Sequence, residues 1–234
     1  MLKRMAVHLK TISTPAATLL IARKDLLLEW RNRQLLSAMM IFALLVVLIF
    51  NFALELDAKT RQNVTAGVLW TTFVFAGTLG LNRSMAIEKE SDSLDGLLLA
   101  PMERSGIFFG KILANLVIMG LVELITLPLY GLLYNVNVLN GGLLLVIALG
   151  SIGYTAVGTL LASMAVQTRT RDLLLPVLLF PVIIPLLVAA LRASTAFLDG
   201  LEMQFIWPSL NLIIAYNVIM LALGYMFFDY VIEE

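Results

Sequence analysis

Long apolar segments alternate with short polar ones along the whole chain. Six of them have the length of a membrane span, at about residues 35–54, 64–81, 108–133, 142–165, 173–191 and 209–228. A helix needs about 20 mostly apolar residues to cross roughly 30 Å of hydrocarbon. The pattern therefore predicts an all-α, polytopic integral membrane protein with six transmembrane helices in a single domain, 1–234.

The segment before the first span, TPAATLLIARKDLLLEWRNRQ, predicts a helix that lies on the membrane surface. Leu19, Ala22, Leu26 and Trp30 recur at spacings of three and four and form one apolar stripe. The basic residues between them can face lipid headgroups. The N-terminal part, 1–34, is thus expected to hold an interfacial amphipathic helix. A basic flank that only fixes topology explains the pattern equally well.

The distribution of basic residues predicts the orientation of the spans. If the N-terminus is cytoplasmic, only three of the 16 Lys and Arg residues fall outside: Lys59, Arg61 and Arg192. Cytoplasmic loops carry such an excess of positive charge. We therefore expect both termini in the cytoplasm, with a tail, 229–234, after the six-span bundle, 35–228.

Composition supports a membrane protein and excludes several kinds of site. Hydrophobic residues make up 60% of the chain and charged residues 14%, against about a quarter charged in soluble domains. The formal net charge is zero, so no basic field attracts nucleic acid. The sequence has no cysteine, which excludes disulfides, iron–sulfur clusters and thiolate metal sites. We expect the single histidine, His8, to be an exposed interfacial side chain.

The outer connections are short, and the longest, about 192–208, could not fold as a separate domain. The side chains of Trp30, Trp70 and Trp207 suit the membrane–water interface, where tryptophan is enriched.

The connection between the second and third spans predicts a short amphipathic helix. It reads EKESDSLDGLLLAPMERSGIFFGKIL, residues 88–113. Asp92 or Ser93 can cap this helix, because their side-chain oxygens accept the free N–H groups of a first turn, and Pro101 ends it. Acids then gather near the N-terminal end, where the helix dipole favours negative charge, and leucines form an apolar face. The acids are Glu88, Glu90, Asp92 and Asp95, and the leucines are Leu94, Leu97 and Leu98.

An exposed leucine face on such a helix indicates a docking surface for another protein, although a helix lying on the bilayer explains it equally well. Here EKESDSLDGLLLAP, followed by GKIL at the next span, resembles the permeases of ABC-2 type transporters. In that family the equivalent pattern is a cytoplasmic coupling helix that inserts into the ATPase subunit. The resemblance implies that these acids and leucines, together with Pro101, couple the chain to an ATPase.

A second stretch resembles a narrower family. TRTRDLLLPVLLFPVIIPLLVAA, residues 168–190, is similar to the fifth span of the haem exporter protein B (CcmB) family, which has spaced prolines. The surface helix and first span also resemble that family, so the likeness covers about 17–192. The resemblance implies a permease in a bacterial or organellar inner membrane that supports haem delivery for cytochrome c maturation. It also implies three partners: a CcmA-like ATPase subunit, a CcmC-like haem-handling membrane protein and a second copy of the chain.

The chain itself lacks the pattern of a nucleotide site. A P-loop needs G-x-x-x-x-G-K-[ST], and the nearest segment, SGIFFGKI at 105–112, has Ser105 and Ile112 in place of the required types. We therefore expect no enzyme activity and no bound cofactor, with ATP used by the partner subunit. The resemblance implies haem as the substrate, but the chain has no pair of haem ligands, so the residues do not show that haem crosses it. Haem transport and ATP-driven release of a haem-loaded chaperone both fit the residues.

Glu123 is the one acid well inside a span. An ionisable group at this depth indicates a functional site, and Asn115 and Thr126 could join it. A gate or substrate contact is one interpretation, and a carboxyl group hydrogen-bonded to a neighbouring span is the other.

Three prolines in the fifth span, Pro176, Pro181 and Pro185, predict a bent or broken helix. Their freed carbonyls need partners in a membrane, which indicates a hinge or a pathway-lining helix; a static kink is the alternative. Small residues four apart, Gly106 with Gly110 and Gly158 with Ala162, predict helix-packing faces.

Three alternatives to haem export stay open from the residues. A generic ABC-2 exporter of another substrate would keep every feature above. A secondary transporter would need more intramembrane polar residues than Glu123. A membrane assembly scaffold would use the same surfaces without transport.

Overall fold

The computed structural model describes residues 12–53, 58–90, 96, 102–166, 168 and 170–233. Within these residues the chain forms seven helices, which we number in chain order. They are α1 (Thr14–Asn32), α2 (Gln34–Ala53), α3 (Ala58–Glu90), α4 (Arg104–Tyr134), α5 (Gly141–Ala165), α6 (Arg171–Leu198) and α7 (Met203–Glu233).

Six of these helices, α2 to α7, are long and apolar enough to cross a membrane. A helix satisfies its backbone hydrogen bonds internally, as hydrocarbon requires. The prediction of an all-α protein with six spans is confirmed, and the chain is a multi-pass membrane protein.

Several helices extend beyond the predicted spans. The predicted outer loop 192–208 was too long, because α6 and α7 leave only residues 199–202 between them. α7 also continues to Glu233, through most of the tail predicted at 229–234. The loop was predicted too long because polar residues end an apolar run without ending a helix, whereas the cytoplasmic position of 229–234 stays a prediction. The helix α4 stops instead where Asn135 adopts a left-handed conformation, with φ of 52°.

The centre of the bundle is formed by α3 and α5, whose spans are the most buried. Glycines on α5 let large side chains of α3 approach closely: Gly150 lies against Trp70, and Gly158 lies against Leu81. In lipid, small residues at helix interfaces allow this close packing. Ala162 is buried as well, so the packing face predicted for Gly158 and Ala162 is confirmed.

Trp70 lies in this core, and its predicted interfacial position was wrong. The side chain is 2% exposed, and its Nε1 donates a hydrogen bond to Ser194 Oγ at 3.0 Å. Burial of an indole in a span is possible because this polar N–H finds a partner on α6. Trp30 and Trp207 are exposed on the surface of the bundle.

The surface helix α1 packs along α4. Its buried residues are Ala17, Ile21 and Ala22, whereas Leu19 and Trp30 are exposed. Ala22 is thus the one buried residue of the predicted apolar stripe, and the contact of this stripe with the membrane surface stays a prediction.

The face of α4 that contacts α1 carries two glycines, Gly106 and Gly110. A Cβ atom added to Gly106 would lie 2.7 Å from Ala17 Cβ, and one added to Gly110 would lie 2.7 Å from Ile21 Cβ. These glycines therefore let the backbone of α1 lie directly on α4, and the packing face predicted from their spacing is confirmed.

Candidate functional site

The charged connection begins at the end of α3. Glu88 and Glu90 belong to the last turn of this continuous 33-residue helix, and their role in coupling stays a prediction. The other coupling residues predicted from the sequence lie outside the described residues, and their role stays a prediction. They are Asp92, Leu94, Asp95, Leu97, Leu98 and Pro101.

The far end of this connection is held against the start of α1. Ile12 and Met102 form an isolated parallel bridge, and Thr14 Oγ1 donates a hydrogen bond to the Glu103 carboxylate. Residues 12–14 and 102–103 therefore form one contact at the point where both α1 and α4 begin. The sequence gives no sign of this contact, because the residues that form it are far apart in the chain and follow no periodic pattern.

A buried ion pair joins α1 to α4. Lys111 Nζ lies 2.9 Å from Asp25 Oδ2, and the Lys111 side chain is only 1% exposed. Lys24 Nζ approaches the other Asp25 oxygen at 3.1 Å, from a side chain that is 33% exposed. The sequence predicts Lys111 only as a marker of the membrane boundary. The structure shows that it also fixes the position of the surface helix.

A small, mainly apolar cavity of about 70 Å³ adjoins this ion pair. Asp25 and Lys111 line it together with Glu29, Asn32 and Ser84. A cavity of this size, with charged and polar side chains on part of its wall, can hold several water molecules. The ion pair is therefore buried beneath α1 but lies next to a space that water can enter.

Glu123 is buried in the interior, where it joins α4 to α5. The Ser151 hydroxyl on α5 donates a hydrogen bond to Glu123 Oε1, and the glutamate is 6% exposed. The predicted companions do not meet it. Asn115 Nδ2 donates to Thr159 Oγ1 at 3.1 Å, and Thr126 Oγ1 has no hydrogen-bond partner among the described residues.

Further polar contacts continue through the bundle at other levels. Tyr154 and Thr78 lie 2.9 Å apart through their hydroxyl oxygens. Asn217 Nδ2, on α7, donates to the Leu149 carbonyl at 2.9 Å. Each contact joins different helices, so these groups act as interhelical hydrogen bonds in an apolar bundle. The interpretation of Glu123 as part of an interhelical hydrogen bond thus has a defined partner.

The three prolines lie within a continuous α6, so this helix is not broken. Pro176 is half-buried, whereas Pro181 and Pro185 are exposed. The Tyr216 hydroxyl of α7 donates to the carbonyl of Val182, one turn before Pro185, at 3.1 Å. A neighbouring helix thereby supplies an extra donor in the proline-rich segment, as expected where proline disturbs a membrane helix.

The exposed prolines form part of an apolar face. Val177 and Ile184 lie beside them and are 66% and 56% exposed. We call this set of residues, Val177, Pro181, Ile184 and Pro185, the proline face. Within the single chain it is turned away from the bundle core.

The chain was also compared with known proteins. Residues 16–232 match the family model of the CcmB protein. The chain belongs to the CcmB protein family. This match extends from the start of α1 through all six spans, and it confirms the narrower of the two resemblances seen in the sequence.

Curated relatives in the CcmB family match over most of their length. The chain is 29% identical over 185 residues to Heme exporter protein B of Bradyrhizobium diazoefficiens, covering 79% of this chain and 82% of that protein. It is 28% identical over 185 residues to Heme exporter protein B of Pseudomonas aeruginosa, with the same two coverages. The protein of that name from Rhodobacter capsulatus is 28% identical over 168 residues, which cover 70% of this chain and 75% of the relative.

Proposed function

We propose that this CcmB-family chain is the transmembrane permease subunit of an ABC transporter complex that supports haem export for cytochrome c maturation. A CcmA-like partner hydrolyses ATP, and the chain transmits the resulting movement into the membrane. The observation that carries the proposal is the family match over residues 16–232 together with curated relatives called Heme exporter protein B.

The connection 91–101 is the proposed contact with the ATPase. It follows the last turn of α3, which carries Glu88 and Glu90, and its far end contacts the start of α1 through Met102 and Glu103. A displacement of this connection by the ATPase would therefore move both the core helix α3 and the surface helix α1. Packed elements of this kind can carry energetic coupling between distant sites.

Haem need not pass through the interior of one bundle. The cavity beside Asn115 and Tyr154, between α3, α4 and α5, has a volume of only about 10 Å³, roughly the space for one water molecule. This packing favours two mechanisms. In one, the proline face of α6 lies against a second copy of the chain and the pathway runs between copies. In the other, ATP hydrolysis drives release of a haem-loaded chaperone.

We place this complex in a bacterial or organellar inner membrane, with both termini of the chain in the cytoplasm. The excess of Lys and Arg in alternate connections supports the orientation. A CcmC-like haem-handling membrane protein is the third proposed member of the complex. Glu123 then stabilises α4 against α5, and any contact of this residue with the substrate would require the two helices to separate.

The test is deletion of the gene in the organism that encodes this chain, followed by measurement of covalently bound haem in its c-type cytochromes. The proposal predicts that haem-stained cytochromes disappear and that a plasmid copy of the chain restores them. Normal cytochrome c levels in the deletion strain would contradict a role in cytochrome c maturation and would leave an exporter of another substrate.

A further inference from the structure

A groove of about 450 Å³ lies beside the surface helix, between α1, α2 and α4. Its walls are mainly apolar, and two charged residues lie at the end nearest the turn from α1 to α2. The lining residues are Leu26, Glu29, Trp30, Arg33, Leu36, Val117, Ile118 and Leu121. We call this the elbow groove.

If α1 lies on the membrane surface, as the sequence predicts, the elbow groove extends from that surface into the hydrocarbon. Trp30 and Arg33 belong to the end of the surface helix and the residue that follows it. Val117 and Leu121 lie on α4, one helical turn apart, which is a rise of about 6 Å. The groove therefore has a polar entrance and an apolar interior. A phospholipid has the same arrangement, because its headgroup is polar and its acyl chains are apolar.

Arg33 is held at the entrance by the backbone. It adopts a left-handed conformation, with φ of 53°, and its N–H bonds to the Glu29 carbonyl to end α1. Its guanidinium lies 5.7 Å from the centroid of the exposed Trp30 ring. Among the described residues no carboxylate forms an ion pair with Arg33, so its guanidinium can bind an anion from outside.

The acidic residue at the entrance, Glu29, forms a hydrogen bond with the backbone of α2. Glu29 Oε1 accepts a hydrogen bond from the Leu36 N–H at 2.8 Å. This bond satisfies one of the free N–H groups in the first turn of α2. The carboxylate thus has a structural partner, and the cation of the groove is Arg33.

We propose that the elbow groove binds an anionic phospholipid, with one acyl chain between α1 and α4 and the phosphate at Arg33. A lipid fits this groove for two reasons. The groove opens on the surface of a membrane-spanning bundle, and its apolar interior lies next to Arg33, a cation at the level of the lipid headgroups. The negative charge is specified by Arg33. One basic residue near an anionic membrane surface contributes about 1 kcal/mol, which corresponds to about fivefold higher occupancy by the anionic lipid.

Quenching of tryptophan fluorescence by brominated lipid tests this proposal. The full chain is reconstituted in phosphatidylcholine nanodiscs that contain a small fraction of brominated phosphatidylglycerol or, separately, the same fraction of brominated phosphatidylcholine. The Trp30→Phe variant is measured in parallel, and the difference isolates the emission of Trp30 from that of the other tryptophans. We expect brominated phosphatidylglycerol to quench Trp30 several times more strongly than brominated phosphatidylcholine.

Two arginine variants distinguish specific lipid binding at Arg33 from a general effect of positive surface charge. Arg33→Asn removes the cation while keeping a residue type that tolerates positive φ, and it should reduce the preference to about one. Arg31→Gln removes a neighbouring exposed charge that does not line the groove and should leave the preference unchanged. Val117→Phe, which fills the groove, should lower quenching without altering the charge. Equal quenching by both lipids in the wild-type chain, or equal loss in both arginine variants, would overturn the proposal.

Discussion

Replacement of Asp25 by asparagine should destabilise the chain strongly, because it removes the carboxylate that lies 2.9 Å from the buried Lys111 ammonium. Coulomb's law at an effective dielectric constant of about 20 gives roughly 6 kcal/mol for unit charges at this separation. The adjoining cavity of about 70 Å³ lets water reach the ammonium and recovers part of this energy. We expect a loss of about 3 kcal/mol, the lower end of the range for breaking a buried ion pair.

The free energy of unfolding can be measured in mixed micelles by titration with a denaturing detergent and followed by circular dichroism. Lys24→Gln is the matched control, because Lys24 also approaches Asp25 but is substantially exposed. Such an exposed pair contributes less than about 1 kcal/mol. The double variant Asp25→Asn with Lys111→Met removes both charges and should lie within about 1 kcal/mol of the wild-type chain.

An Asp25→Asn variant that is no less stable than Lys24→Gln would contradict a strong buried ion pair between Asp25 and Lys111. A double variant whose loss of stability equals the sum of the two single losses would contradict it as well, because the charges would then not interact. A double-mutant cycle isolates this pairwise energy, so the result bears directly on whether the ion pair fixes α1 to α4.

Three further changes test other parts of the account. Leu97→Asp should insert and fold but lose the ATPase partner in co-purification, whereas Leu139→Asp, on an exposed connection, should keep it. Glu123→Gln should remain folded, with a change in unfolding free energy of at most about 1 kcal/mol, because its amide oxygen can still accept the serine hydrogen bond from α5. Gly110→Ala should destabilise the chain by about 1–3 kcal/mol, since its Cβ would collide with α1, whereas Gly120→Ala has open space around it and should not.

Each of these expectations has a contradicting result. Normal recovery of the ATPase with Leu97→Asp would remove the docking argument. A degraded Glu123→Gln product would mean that the carboxylate itself is required for folding. Equal stability of the two alanine variants in thermal unfolding would show that α1 does not lie as close to α4 as described.

The sequence predicts the architecture well where a physical rule acts on one segment at a time. Hydrocarbon thickness and the need to satisfy the backbone define six spans from composition alone. Glycines four residues apart mark the face of α4 that receives α1. The same local reasoning misplaced Trp70, because a tryptophan suits both the interface and a core position with a hydrogen-bond acceptor.

The contacts of the candidate site depend on pairs of residues far apart in the chain. Nothing in the sequence around Lys111 indicates that Asp25 is its partner, since the packing of α1 on α4 brings them together. For the same reason the sequence cannot choose Ser151 over Asn115 as the partner of Glu123. The proline-rich span is recognisable from its composition, but only the fold shows that two of its prolines face outward.

The central claim is that the chain works as a permease with an ATPase partner in haem delivery. Its most direct test is purification of the tagged chain from its native membrane in a mild detergent, with mass spectrometry of the proteins that remain bound. The account predicts a soluble ATPase together with a haem-binding membrane protein, each recovered in amounts comparable to the chain. Repeated preparations without any ATPase would contradict it.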